Sequence, residues 1–293
     1  MPDTDRVGTR ETHQLEPMSS ARRTIVDALS VGSRRHMSHA LIELDVTRAR
    51  NLIHLHGAAA GEVLSFTAFI ARCVARAIDA DKHLHAYRDW RNRLVLFDDV
   101  DVALLIEPAA NQVAIPHVVR AANRRTVREI HEEIRHIQSQ PGSSAQRSGR
   151  LARLSAVVPG MVRRLFLRML RRTPSWLKRT AGTVVVSSVG MFGRGGGWAL
   201  GIAPLHTLAV TVGGVDERPW VVAGRIEARQ ILDVTIAVDH DVVDGAPAAR
   251  FVHRFRQLVE SADGLQEAIL TAGAAPPAPA RTPTENHAPA ARG

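Results

Sequence analysis

One histidine in this chain stands where a proton acceptor would be useful. The alternating apolar run 231–238 (ILDVTIAV) reads as a half-buried strand. Directly after it come Asp239, His240, Asp241, Val242, Val243, Asp244 and Gly245. A helical pattern follows, with Ala249, Val252, Phe255 and Val259 at spacings of three and four. The strand therefore delivers His240 into a tight turn, and Asp244 returns four residues later with Gly245 closing the bend. An imidazole takes a proton near neutral pH, and a carboxylate beside it fixes its orientation and supports the imidazolium. This layout suits a general base held by a carboxylate. It also suits a turn histidine with a helix-capping aspartate, and spacing alone leaves both open.

The elements around this turn can be read from periodicity. Helices are expected at 20–31, 64–79, 125–139, within 150–178 and at 246–262. Strands are expected at 38–46, 92–97, 99–107, 112–116, 183–188, 207–215 and 230–238. Thr126 with Glu129 three residues later gives helix 125–139 a capping box. Residues 1–17 are polar, and 273–293 are rich in Pro and Ala; both are expected to be disordered tails around one domain at 18–272.

Composition narrows the class. A hydrophobic fraction of 45% supplies a packed core and excludes global disorder. The N-terminus lacks an apolar stretch, so it is no secretory signal, and no run is long enough to span a bilayer. The single cysteine, Cys73, excludes an internal disulfide and a multi-cysteine zinc site. A cytoplasmic protein is expected. The pairs His36/His39, His54/His56 and His83/His85 lack an accompanying carboxylate or cysteine cluster and read as surface or satisfied histidines, so no metal is expected.

Charge is concentrated. Between Arg147 and Arg179 lie ten basic residues and no acidic one, which accounts for the whole net charge of +9. There Val162, Leu165, Phe166, Met169 and Leu170 share a helical face, with Arg163, Arg164, Arg168, Arg171 and Arg172 around it and Trp176 beyond. A basic amphipathic helix of this kind suggests an anionic membrane surface or another acidic partner. The plainer reading is a helix packed within the protein's own assembly, with a solvated arginine face. No nucleic-acid reading module is present, and nucleic acid is not expected as a partner.

The segment DHDVVDGAPAARF (239–251) resembles the active-site signature of the dihydrolipoamide acyltransferases, the core components of 2-oxo acid dehydrogenase complexes. Chloramphenicol acetyltransferase shares it more distantly. Other pieces resemble the family in its order: ARRTI (21–25), LDVT (44–47), the helix LSFTAFIARCVARAI (64–78), VAIPHVVR (113–120), GTVVVSSVGMFG (182–193) and RPWVV (218–222). The resemblance covers about residues 18 to 272.

It implies an α/β fold, a two-layer sandwich with a mixed β-sheet like that of chloramphenicol acetyltransferase, assembled as trimers or larger oligomers built from trimers. The implied activity is a CoA-dependent acyltransferase moving an acyl group between CoA and a lipoyl-type thiol. By residue match His240 is the base, Asp244 supports it, and Ser187 supplies the oxyanion donor. Arg23, with Arg22 as the alternative, is the implied partner of Asp244, and Gly245 supports the loop. Each site would join the histidine of one chain to the serine of the next. The segment 147–179 looks like an insertion. Lys82 and Lys178 are the only lysines, and neither sits at an exposed hairpin tip, so no lipoyl attachment site is expected; a separate lipoylated protein is the implied partner. Asp241 replaces the arginine usual after the histidine. The loop Gly193–Trp198 is unusually glycine-rich and reads as a flexible turn near the acyl or pantetheine channel, since it lacks the Gly-Lys-Ser/Thr of a nucleotide loop. Two alternatives stay open: an acetyltransferase for a small hydroxyl or amine acceptor, and a catalytically silent trimeric scaffold.

Overall fold

The computed structural model describes residues 16–33, 35–106, 115–139, 158–190, 195–203 and 205–273. The chain runs α1 (Ser20–Gly32), β1 (Met37–Asp45), α2 (Thr47–Ala60), α3 (Phe66–Ile78), a short hairpin of β2 (Tyr87–Arg88) and β3 (Leu94–Val95), then β4 (Val102–Ile106), β5 (Ile115–Val119) and α4 (Val127–Ser139). It continues with α5 (Gly160–Arg172), α6 (Pro174–Ala181), β6 (Val184–Ser188), β7 (Leu208–Val222), β8 (Arg225–Asp239), α7 (Gly245–Glu260) and α8 (Leu265–Gly273). The expected tails fall outside the described residues except for 16, 17 and 273. So do 147–157 of the basic segment and residues 191–194.

Six strands form one mixed sheet in the order β1-β8-β7-β6-β4-β5. The pairs β4–β6 and β6–β7 are parallel; β1–β8, β7–β8 and β4–β5 are antiparallel. The period-two alternation of the strands separates two faces. Ile42, Leu44, Val184, Val186, Val210, Val234 and Ile236 pack under the helices in the main core. Within that layer α3 (FTAFIARCVARAI) is apolar on nearly every side and is buried accordingly. Cys73 lies inside it fully buried, and burial pushes its thiol far above the usual range, so it is core and no nucleophile. This two-layer α/β arrangement is the expected architecture.

The capping box forms as read: the Glu129 carboxylate accepts from the Thr126 backbone N–H at 2.7 Å, and the Thr126 hydroxyl accepts from the Glu129 N–H at 3.3 Å. The expected strands 207–215 and 230–238 are both longer, because they continue as a hairpin to 222 and from 225. Its two-residue turn, Ala223–Gly224, has both φ angles positive, at 49° and 80°, the primed-turn geometry that matches strand twist. Helices α2 and α8 are additions to the sequence reading.

Candidate active site

Strand β8 ends at Asp239, and His240 begins the turn into α7. The backbone N–H of His240 donates to the His36 carbonyl at 2.8 Å, that of Asp239 to Thr207 at 2.8 Å, and those of Val242 and Val243 to Asp239, each at 3.0 Å. The histidine backbone is thus pinned from both sides, while its side chain stays half exposed at 49%. Position and access are what a proton acceptor for an incoming group requires. His240 Nδ1 lies 4.0 Å from Asp244 Oδ1, an ion-pair separation longer than a hydrogen bond.

The expected support of that aspartate is not made among the described residues of one chain. Asp244 is 86% exposed, and Arg23 sits exposed on α1 with no side-chain partner among the described residues. Arg22 is exposed as well. Instead, Arg35 lies 3.3 Å from the buried Asp239 and donates to the carbonyls of Leu205, at 3.0 Å, and His206. The physical reason is register. Met37 opposes Asp239 across the β1–β8 pair, so the residues just ahead of β1, and not those near the start of α1, arrive beside the histidine turn. His36 extends the network, with Nδ1 2.8 Å from Asp241 Oδ1; that bond holds the Asp241 carboxyl below its ordinary range. Asp241 Oδ2 also lies 3.8 Å from Arg88. The sequence reading passed over Arg35 and took His36 only as a surface or satisfied histidine. The available signal was their place directly ahead of the strand that pairs with β8.

Gly245 starts α7 without a positive φ, and a Cβ there would meet open space. The chain's own geometry therefore does not require glycine at this position.

Ser187 and Ser188 end β6 on opposite faces. Ser188 shares the helix side with Val184 and Val186. Ser187 shares the other face with Val185, whose neighbours are Ala203, Ala209 and Ala237. Among the described residues the Ser187 hydroxyl has no hydrogen-bond partner, and across the sheet it stands in one row with Thr211 and Thr235. His240 lies five residues beyond Thr235. At about 3.3 Å per residue and 4.8 Å per strand, the two backbones are about 19 Å apart. One copy of the chain does not bring His240 and Ser187 together.

The glycine-rich loop is not a free turn where it is described. Gly195 and Gly197 have φ of 91° and 148°, and a Cβ on Gly196 would lie 2.0 Å from the Arg218 guanidinium. The loop packs against Gly213 and Gly214 at the β7 bulge. The Gly197 N–H donates to Asp233, a buried carboxylate paired with Arg218 at 2.6 Å. These glycines permit close backbone packing over a carboxylate, which is a poor setting for phosphate.

Of the other histidines, His85 and His206 are buried, and burial lowers each to about 4, so both are neutral near pH 7. The His206 Nε2–H donates to the Ala181 carbonyl at 2.8 Å. In the basic segment the arginine face expected to be solvated is only partly so. Met161, Val162, Leu165, Phe166 and Met169 of α5 face outward, while Leu170 joins Tyr87 and Leu177 in a small separate core. Arg163 turns inward to Asp27 at 2.7 Å, and Arg171 donates to the Val31 carbonyl at 3.0 Å. The arginine face is partly internal, and the apolar face is the exposed one.

A family model for the catalytic domain of 2-oxoacid dehydrogenases acyltransferase matches residues 10–151 and 172–266. Its break, at 152–171, falls inside the basic segment. A Mycoplasma capricolum protein, the dihydrolipoyllysine-residue acetyltransferase component of its pyruvate dehydrogenase complex, is 22% identical over 87% of this chain and 51% of its own length. The lipoamide acyltransferase component of the branched-chain alpha-keto acid dehydrogenase complex of Pseudomonas aeruginosa is 26% identical over 86% of this chain and 53% of its length. The chain thus spans about half the length of these relatives. A crystal structure of Azotobacter vinelandii dihydrolipoamide acetyltransferase superposes with a TM-score of 0.67 at 17% identity, covering 92% of this chain and all of that one.

Proposed function

The chain belongs to the 2-oxoacid dehydrogenase acyltransferase family, and from that membership we propose that it moves an acyl group between coenzyme A and a dihydrolipoamide-type thiol, with His240 as general base. The observation that carries this reading is the His240 turn, a half-exposed imidazole on a backbone anchored by His36, Thr207 and Asp239. The structural work on the Azotobacter relative concerns the roles of a serine, a histidine and an asparagine in its catalytic mechanism. Ser187, His240 and Asp244 are the residues assigned here to the corresponding places.

A free thiol has a pKa of about 8.5, so little of it is ionised at neutral pH. In the forward direction His240 removes the proton from the acceptor thiol as its sulfur attacks the thioester carbonyl. The carbonyl π electrons move onto oxygen, and the Ser187 hydroxyl donates a hydrogen bond to that oxyanion. The intermediate collapses by breaking the carbon–sulfur bond to CoA, and the imidazolium returns its proton to the departing CoA thiolate. Asp244 stabilises the imidazolium electrostatically and takes no proton. Because the two residues are far apart in one copy, the working site joins His240 of one chain to Ser187 of another, in a trimer or an oligomer built from trimers.

The acceptor is assigned to a separate lipoylated protein, and the setting to the cytoplasm. Among the described residues no helix is long and apolar enough to cross a membrane. The outward apolar face of α5 is assigned to contact between copies, since α5 packs on α1 beside the histidine turn that a neighbour must complete. An anionic membrane is the alternative occupant, and binding of the assembled protein to anionic liposomes at low salt would favour it. Replacing all five α5 arginines is a poor test of either, because Arg163 and Arg171 are tied to the chain itself.

His240→Ala should lower acyl transfer from acetyl-CoA to dihydrolipoamide by at least about 10²-fold, with an unchanged unfolding temperature. Turnover within a factor of two of the parent would remove His240 from the base role. A parent protein that binds no CoA ester would favour the silent scaffold, and transfer to hydroxyl or amine acceptors alone would favour the other alternative.

A further inference from the structure

Beside the histidine turn lies a small polar cavity of about 50 Å³ lined by Arg35, Arg88, Arg171, Arg172, Asp239 and Asp241, with Tyr87, Thr207 and Val242 completing its wall. Two of its residues flank His240 directly in sequence. Four guanidiniums meet two carboxylates there. Asp239 is taken by Arg35 at 3.3 Å, and Asp241 by His36 at 2.8 Å and Arg88 at 3.8 Å. Arg171 donates to the Val31 carbonyl; Asp239 acts on it electrostatically, but among the described residues no carboxylate lies within ion-pair distance of it. Arg172 has no hydrogen-bond or ion-pair partner among the described residues.

Four guanidiniums against two carboxylates leave an excess of positive charge that repels itself, and a fold keeps such a cluster more readily when an anion joins it. Burial first, and then the crowding of Arg35, Arg172 and Arg88, pulls the Arg171 guanidinium below its usual value. The cationic pair arrives from the end of α5. That helix is held in place by Leu170 against Tyr87 and Leu177, and by Arg163 on Asp27. The basic segment thereby delivers two arginines to the histidine turn. Guanidinium forks match carboxylate and phosphate oxygens in geometry as well as charge. The cavity is too small for a nucleoside and large enough for one such group.

We propose that this arginine cavity is a subsite for an anionic oxygen group carried by the substrate, and that the group is a carboxylate at the far end of the acyl chain, as in a dicarboxylic acyl thioester. The proposal rests on the acyl-transfer reading of His240. A phosphate of the CoA moiety offers the same oxygen chemistry from another source, and the experiment separates the two.

Binding of succinyl-CoA, acetyl-CoA and acetyl-dephospho-CoA to the assembled protein is measured by calorimetry, for the parent and for Arg172→Gln and Arg172→Lys. The proposal expects succinyl-CoA to bind about tenfold or more tightly than acetyl-CoA. That ratio should fall to near parity in Arg172→Gln and recover in part in Arg172→Lys. If the acetyl-CoA to acetyl-dephospho-CoA ratio is the one that collapses, the subsite stands and its anion is the CoA phosphate. Ratios equal in parent and Arg172→Gln overturn the subsite. Should no CoA ester bind at all, the acyl-transfer reading fails by itself. Succinate and inorganic phosphate then test the cavity alone, by raising the unfolding temperature of the parent and not of Arg172→Gln; no rise overturns it.

Discussion

At the scale of single residues, the two serines that end β6 make a controlled comparison. They are chemically identical neighbours, and the strand alternation sends Ser187 to the face away from the helices and Ser188 toward them. An oxyanion donor contributes about 10²–10³-fold to kcat when it bonds the developing charge and not the ground-state carbonyl. Ser187→Ala is therefore expected to lower kcat by about 10²-fold with KM nearly unchanged, and Ser188→Ala to do much less. Steady-state kinetics of both variants at saturating CoA ester checks this, and the reverse ranking would place the donor one residue later. The strand-end positions of His240 and Ser187 were legible in the sequence because each sits in a short motif that closes an alternating apolar run. The Asp244–Arg23 pair was not, since an ion pair depends on which segments adjoin, and the chain joins Asp239 to Arg35 instead.

At the scale of elements, the histidine turn depends on the segment between α1 and β1. Asp239 is only 4% exposed, and Arg35 is its charged partner. Removing one member of a buried pair leaves an unpaired charge and costs about 3–5 kcal/mol. Arg35→Leu should lower stability by that order in chemical denaturation. Adding Asp239→Asn should recover much of the loss, because the stranded carboxylate is gone. Well below the unfolding temperature, Arg35→Leu should also reduce kcat more than it changes KM, as a positioning residue acting through the turn would. A kcat equal to that of the parent would confine Arg35 to stability. The elements missed in the sequence share a physical cause. Helix α2 (TRARNLIHLHGAAA) has little apolar stripe, and Val46 gives it no side-chain cap. In the outer β7–β8 hairpin one face is half-buried and the other exposed, but the exposed face carries apolar Val221 and Ile226, so no apolar–polar alternation marks it. Helix α5 was visible as amphipathic, yet its pattern said nothing of which face turns inward, because Asp27 in distant α1 decides that.

At the scale of the whole molecule, the proposed pairing of His240 with Ser187 in one site would require more than one copy of the chain. Ser187, Thr211 and Thr235 lie in one cross-strand row, and His240 stands five residues past its end. The resulting separation, about 19 Å, exceeds what two side chains can close, and pleated strands in a packed sheet do not slide to shorten it. Two copies solve the problem when the His240 turn of one meets the β6 end of the next. Each site then needs one intact histidine and one intact serine from different chains. That condition makes a mixing experiment decisive. His240→Ala protein and Ser187→Ala protein should each be nearly inactive alone. After they are unfolded and refolded together, mixed assemblies pair an intact histidine chain with an intact serine chain at some interfaces. Random mixing predicts recovery of about one quarter of parent activity per site, because each of the two contributing chains is the right one half of the time. Acyl transfer at that level, appearing only in the co-refolded sample, is the expected result. Co-refolded assemblies of verified mixed composition that stay as inactive as the separate variants would mean that both residues serve a site within one chain, and the sheet geometry would have to change on substrate binding to allow it.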